Sequence, residues 1–142
     1  MKYRFIIPVY NRPDEVDELL DSLTRQECRD FEVVVVEDGS AVPCRDVCDR
    51  YADRLDLHYY NKENSGPGQS RNYGVERAQG EYVIIHDSDV VLPEGYLDPV
   101  DETLRPLPAD AFCCPDAAHP PFTHAQKALY SSLTPYFTYH GQ

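Results

Sequence analysis

The sequence predicts an α/β domain built on a mainly parallel central sheet. Three observations carry that prediction. Short apolar runs alternate regularly with amphipathic helical stretches, one of the runs is apolar on both faces, and turn residues punctuate each exchange. The 142 residues suit one ordinary domain, and an apolar content of 42% is enough to build a core.

Phe5-Ile6-Ile7-Pro8-Val9 is the first strand. Pro13 suits the first turn of a helix, where its missing N–H costs nothing, and Asp14 and Glu15 favour the positive end of the helix dipole. Val16, Leu19, Leu20 and Leu23 then recur at i, i+3, i+4 and i+7, which is one helical face. Phe31 to Val36 holds four consecutive valines; a β-branched run with no polar alternation suits a central parallel strand. Gly39 and Ser40 end it, and Cys44, Val47, Cys48 and Tyr51 predict a second helix. Leu57 to Tyr60 is a third strand. Asn64 to Gly68 is a loop by composition, Gln69 to Ala78 a helix stopped by Gly80, and Tyr82 to Ile85 a fourth strand. Past Pro93, Tyr96, Leu97, Val100 and Leu104 predict a further helix.

The chain changes character near Arg105. Beyond it lie only two of the acids, Asp110 and Asp116, and one of the bases, Lys127, while most of the twelve prolines fall at or after Pro93. Leu129, Leu133, Tyr136, Phe137 and Tyr139 make this back section too apolar for a solvated linker.

The net charge of −12 predicts repulsion from nucleic acid and from anionic membranes, and the scattered basic residues form no patch against it. No apolar run approaches the ~20 residues that span a bilayer, and the N-terminus has too short an apolar stretch for a signal peptide, so the expected address is the cytoplasm. Cys28, Cys44, Cys48, Cys113 and Cys114 fit neither a disulfide framework nor a zinc site and are expected to be reduced, mostly buried thiols.

In an open parallel sheet, ligands bind beyond the carboxyl ends of the strands. The first strand ends in Tyr10-Asn11-Arg12, the second in Glu37-Asp38-Gly39-Ser40 and the fourth in His86-Asp87-Ser88-Asp89. Carboxylates crowded on one rim raise each other's pKa unless a cation intervenes. A hard divalent ion, Mg2+ or Mn2+, bridging phosphate oxygens is therefore the expectation, with the close pair Asp87 and Asp89 aimed at one centre. Each piece alone is commonly a solvated turn or a helix cap. The joint order at successive strand ends is what points to a site.

These residues resemble the family 2 inverting glycosyltransferases of the GT-A fold. Ile7-Pro8-Val9-Tyr10-Asn11-Arg12 is similar to that family's first strand and loop, and Val35 to Ser40 to its second-strand acidic motif. Asn64-Ser65-Gly66 through Arg71-Asn72-Tyr73-Gly74 resembles its Asn-x-Gly…Ala-Arg-Asn-x-Gly stretch. Ala78-Gln79-Gly80-Glu81-Tyr82 followed by Asp87-Ser88-Asp89 resembles its Ala-x-Gly-Glu-Tyr strand and Asp-x-Asp. The resemblance covers residues 3 to 100 and, more loosely, the chain from Ala111 on. It departs at Glu37, where many members have Asp, and at His86, an apolar position elsewhere, expected here to be packed or hydrogen-bonded rather than a metal ligand.

The resemblance implies a Rossmann-like three-layer α/β/α domain. Residues 1–105 would form the nucleotide-sugar-binding half and residues 106–142 the start of an incomplete acceptor half of the same domain. It implies transfer from a nucleotide diphosphate sugar, most often a UDP-sugar, to the hydroxyl of a carbohydrate or lipid-linked acceptor, with inversion. It also implies Mg2+ or Mn2+, and a setting in cell-envelope polysaccharide assembly at the cytosolic face of the membrane. Carried over by position, Pro8 and Tyr10 line the base pocket with Arg12 near the nucleotide. Asp38 reads the base, Arg71 lies near the base or phosphates, Asp87 and Ser88 meet the ribose side, and Asp89 holds the metal. In the family the general base lies well beyond the Asp-x-Asp. Asp110 and Asp116 sit in no motif like it, so no catalytic residue is assigned, and the chain reads as a donor-binding part whose cut surface favours self-association. A non-catalytic nucleotide-binding module is the alternative. A nucleotidyltransferase is disfavoured by Asn11-Arg12-Pro13-Asp14 where a glycine-rich basic signature belongs, and a phosphoacceptor domain by the lack of an Asp at the end of the third strand.

Overall fold

A computed structural model of the chain describes residues 2–104, 111–112 and 138–139. The chain divides into two compact units, Met1–Pro99 and Val100–Gln142. In chain order the elements are β1 (Tyr3–Val9), α1 (Pro13–Thr24), β2 (Phe31–Asp38), α2 (Arg45–Asp49), β3 (Leu57–Lys62), α3 (Pro67–Arg77), β4 (Tyr82–Ile85), α4 (Leu97–Leu104), β5 (Ala111–Phe112) and β6 (Thr138–Tyr139).

The four-stranded sheet of the first unit is all parallel, in the order β3-β2-β1-β4. The chain steps outward from β1 through β2 to β3, then α3 carries it back so that β4 lies on the far side of β1. This reversal puts a topological switch between β1 and β4, the place where open sheets hold ligands. The position of each strand follows from its composition. The valine run of β2 is buried along its whole length, as a strand covered on both faces must be. β3 and β4 are the edges and are only half-buried.

Alternation along the strands divides the core between two layers. Ile6, Val34 and Val36 face α3, whose Tyr73 and Val75 pack against them with Ala78. Gly74 lets α3 come close: a Cβ there would stand 2.7 Å from Ile6 Cγ2. α1 and α2 lie on the other face, where Val16, Leu19, Leu20 and Leu23 are fully buried as their spacing predicts. The Tyr51 hydroxyl, just past α2, joins the two by donating to Asp17 Oδ1 at 2.5 Å. Burial, then that hydrogen bond to a carboxylate, push the Tyr51 phenol up to about 12. The α/β/α layering agrees with expectation.

Several element bounds differ, and β1 and β2 run longer, Tyr3–Val9 and Phe31–Asp38. α2 is only five residues long, and the chain runs on through turns to Tyr51, which is nonetheless buried. The periodicity found the buried side chains but not the hydrogen-bond pattern. α3 begins at Pro67 rather than Gln69, because Gly66 takes φ +96° and Pro67 fills the first turn. β3 runs on to Lys62, register-paired with Asp38.

Two buried polar residues of and after α1 hold the chain that follows the β4 exit. The Ser22 hydroxyl accepts the Leu92 N–H at 3.1 Å. Gln26 donates to the Pro93 carbonyl at 2.8 Å and accepts the Tyr96 N–H at 3.0 Å. In the second unit, β5 pairs antiparallel with β6, Ala111 opposite Tyr139 and Phe112 opposite Thr138. Asp110, Asp116, Cys113, Cys114, Leu129, Leu133, Tyr136 and Phe137, singled out from the sequence, lie outside the described residues. Cys28, Cys44 and Cys48 are free thiols, the last two buried. Among the described residues no helix is long and apolar enough to cross a membrane.

Candidate functional site

A cavity of about 520 Å3 opens at the carboxyl ends of the strands of the first unit, within the usual range for small-molecule sites. Pro8, Tyr10, Arg12, Asp38, Arg71, Asp87, Ser88 and Asp89 all line it, so the structure brings every residue expected at the nucleotide into one place. Val9, Glu15, Asn64, Gly66 and Pro67 line it as well and were not singled out from the sequence as site residues.

Asp38 is the most constrained of these groups. It is 4% exposed. Its Oδ1 accepts Lys62 Nζ at 2.5 Å and the Ser65 N–H at 2.9 Å, and its Oδ2 accepts the Gly66 N–H at 3.0 Å. Asn64 Nδ2 donates to the Asp38 carbonyl at 3.0 Å. Burial on its own would raise the Asp38 pKa, but Lys62 and the two N–H groups outweigh it and hold the carboxyl below its usual value. Asp38 therefore stays ionised and fixes the loop leading into α3. Of the four lone-pair positions on a carboxylate, these contacts occupy three and leave one on Oδ2.

Side-chain ion pairs relieve part of the crowding on the rim. Lys62 neutralises Asp38, Arg71 Nη2 meets Asp87 Oδ1 at 3.2 Å, and Arg12 Nη1 meets Glu15 Oε1 at 2.8 Å. Glu37, expected to add a fourth carboxylate to the rim, is turned by the strand pleat into the interior and is not part of the cavity wall. That leaves Asp89, an exposed carboxylate with no hydrogen bond or ion pair among the described residues.

Two features favour an anion beside it. Arg71 Nε is buried with no hydrogen-bond partner among the described residues. The N-terminus of α3, at Gly66-Pro67, opens onto the cavity with its positive dipole end. His86 is buried, packs edge-on to Phe5 with ring centroids 6.3 Å apart, and its Nδ1 lies 2.8 Å from the Asp87 carbonyl. A carbonyl can only accept, so Nδ1 carries the proton. Among the described residues no group of three or more His, Cys, Asp or Glu side chains is gathered to hold a metal.

Lys62, the partner of Asp38, is a further residue that the sequence does not single out. Its signal was its place at the end of β3, but only the register, which sets it beside Asp38 on the same face, gives that place meaning.

Residues 5–137 match the family described as Glycosyl transferase family 2. The poly(ribitol-phosphate) beta-N-acetylglucosaminyltransferase TarS of Staphylococcus aureus is 39% identical over 93 residues, covering 63% of this chain and 16% of TarS. The glycosyltransferase GlyA of Streptococcus pneumoniae is 32% identical over 111 residues, covering 77% of this chain and 16% of GlyA. Among solved structures, S. aureus TarS 1–349 in complex with UDP-GlcNAc superposes with a TM-score of 0.70 at 35% identity, covering 73% of this chain and 31% of that one. The mannosyltransferase PcManGT of Pyrobaculum calidifontis, in complex with GDP-Man and Mn2+, gives 0.62 at 31% identity, covering 66% and 29%. The chain thus spans well under half the length of each of these relatives.

Proposed function

The chain belongs to glycosyl transferase family 2, and from that premise we propose that its first unit binds the nucleoside diphosphate of a UDP-sugar, for transfer of the sugar to an acceptor hydroxyl with inversion. The observation that carries this reading is the single acceptor position left on Asp38 Oδ2, on the wall of a cavity whose other walls carry Arg71 and the N-terminus of α3. A carboxylate oxygen is a partner for the imide N–H of uracil. Pro8 and the half-exposed Tyr10 offer flat apolar surface to the base, with Arg12 beside them. Arg71 turns to the diphosphate, and Asp87 and Ser88 to the ribose. A TarS structure in complex with UDP supports the choice of uracil.

Asp89 fits a hard divalent cation, being an exposed oxygen donor on the cavity wall. With so few protein ligands gathered there, Mg2+ or Mn2+ would take its remaining oxygens from the diphosphate and water. When bound, such a cation supplies charge stabilisation to the diphosphate leaving group. Among the described residues this reading assigns no general base.

Calorimetric titration with UDP and CDP, with and without Mn2+, tests the proposal. UDP is expected to bind more tightly with Mn2+ present. CDP is expected to bind at least about tenfold more weakly, because cytosine N3 turns a lone pair where Asp38 needs an N–H. Equal affinity for the two overturns the assignment of Asp38, and no UDP binding under either condition overturns the donor site.

A further inference from the structure

Glu37 has no part in the cavity wall, yet it ends the same strand as Asp38. It is 0% exposed, and a carboxylate so buried is costly unless its oxygens are occupied. Glu37 Oε1 accepts the Ser40 hydroxyl. Glu37 Oε2 accepts the Cys44 N–H at 2.7 Å and the Tyr59 hydroxyl at 3.1 Å. Burial, and then the charge of Glu37, push the Tyr59 phenol above its usual range, so it remains a donor.

The chain of bonds continues outward. Ser40 Oγ, donating to Glu37, accepts the Asn11 N–H at 2.8 Å. The Asn11 side-chain oxygen accepts the Val42 N–H at 3.0 Å. Asn11 has φ +53°, and it is the one non-glycine residue with positive φ among the described residues. A left-handed conformation is unfavourable for an L-residue, and asparagine is among the few that adopt it when local hydrogen bonds support it. Asn11 sits between Tyr10 and Arg12, both on the cavity wall. The turn at Asn11 decides which way those two side chains leave β1, and its supports come from the β2 exit rather than from β1 itself.

We infer that Glu37, acting through Ser40 and Asn11, fixes the left-handed turn that aims Tyr10 and Arg12 into the nucleotide cavity. The three are positioning residues that touch no ligand themselves. The inference rests on the donor-binding reading above.

UDP titration in the presence of Mn2+ tests it on the full chain and on Ser40→Ala, Ser40→Thr and Asn11→Gly. Thermal unfolding first establishes that each variant is folded at the titration temperature. Ser40→Ala is expected to weaken UDP about five- to tenfold, the worth of one buried hydrogen bond passed on to the binding wall. Ser40→Thr keeps the hydroxyl and is expected to return to within about twofold of wild type. Asn11→Gly can still adopt the positive φ but lacks the side-chain oxygen, and is expected to weaken UDP in the same direction. Amide hydrogen exchange at Asn11 and Val42 is expected to quicken in Ser40→Ala while the β2 amides stay protected. Wild-type UDP affinity in Ser40→Ala overturns the inference, as does a Ser40→Thr variant no better than Ser40→Ala. Those results leave the donor site standing, whereas a wild-type chain that binds no UDP removes the donor-binding reading and this inference with it.

Discussion

The exits of β2 and β4 both carry carboxylates towards the cavity, and they are built in opposite ways. At the β2 exit Asp38 is buried, held by Lys62 and two backbone N–H groups, and Glu37 beside it has every near donor engaged. At the β4 exit the Asp87 side chain is 62% exposed with a single ion pair to Arg71, and Asp89 has no partner among the described residues. Folding has already met the desolvation cost of the first pair. The second pair keeps its charge in water, available to a ligand. A well-partnered acid belongs to the scaffold, and an acid left open is free to meet a ligand.

Substitutions that exploit this contrast give effects of graded size. The largest is expected from Asp38→Ala, which leaves the half-buried Lys62 ammonium and two N–H groups without their acceptor. Denaturant unfolding should show a loss of about 3 kcal/mol, together with loss of UDP binding. Gly39→Ala comes next. Gly39 has φ +69°, and a Cβ there would stand 2.7 Å from the Asn64 backbone N, so the loop carrying Ser65 and Gly66 must move away from Asp38. A cost of roughly 1–3 kcal/mol is expected in the same measurement.

The acid limb of stability sharpens the comparison further. The Asp38 pKa is lowered in the folded chain, so its contribution is fully present above the ordinary value of 3.8 and is lost as pH falls from there towards the lower folded value. Asp38→Asn should therefore flatten the fall in unfolding free energy below about pH 4. A small stability effect is expected from Arg71→Ala. Its ion pair is exposed on both sides, so unfolding should shift by less than about 0.5 kcal/mol. UDP affinity should nonetheless fall by about tenfold or more, read by calorimetry, if Arg71 meets the phosphates.

The parts of the molecule legible in the sequence were those set by side-chain periodicity. The valine run of β2 and the apolar face of α1 identify themselves, because burial on two faces or one stripe leaves a compositional trace. The residues of the cavity were legible as a set, since strand ends in a parallel sheet deliver their loops to one rim. The partners were not. Lys62 reads as an ordinary polar end to β3 until the register sets it against Asp38, and register is a long-range property that no local pattern encodes. The opposite fates of Glu37 and Asp38 follow from the strand pleat, but which of the two faces inward depends on the packing of α1, α2 and α3. Ser22 and Gln26, which hold the chain after the β4 exit, look from the sequence like unremarkable polar residues near the end of α1, because their partners lie some seventy residues on.

The most direct test of the division between scaffold and ligand is denaturant unfolding of wild type, Asp38→Asn and Asp89→Asn, each with and without UDP and Mn2+. Without ligand, Asp38→Asn should be clearly destabilised and Asp89→Asn should match wild type. With ligand, wild type should gain stability by mass action, and Asp89→Asn should lose most of that gain. An Asp89→Asn variant as destabilised as Asp38→Asn without ligand, or one that keeps the full stabilisation by UDP and Mn2+, would contradict the account.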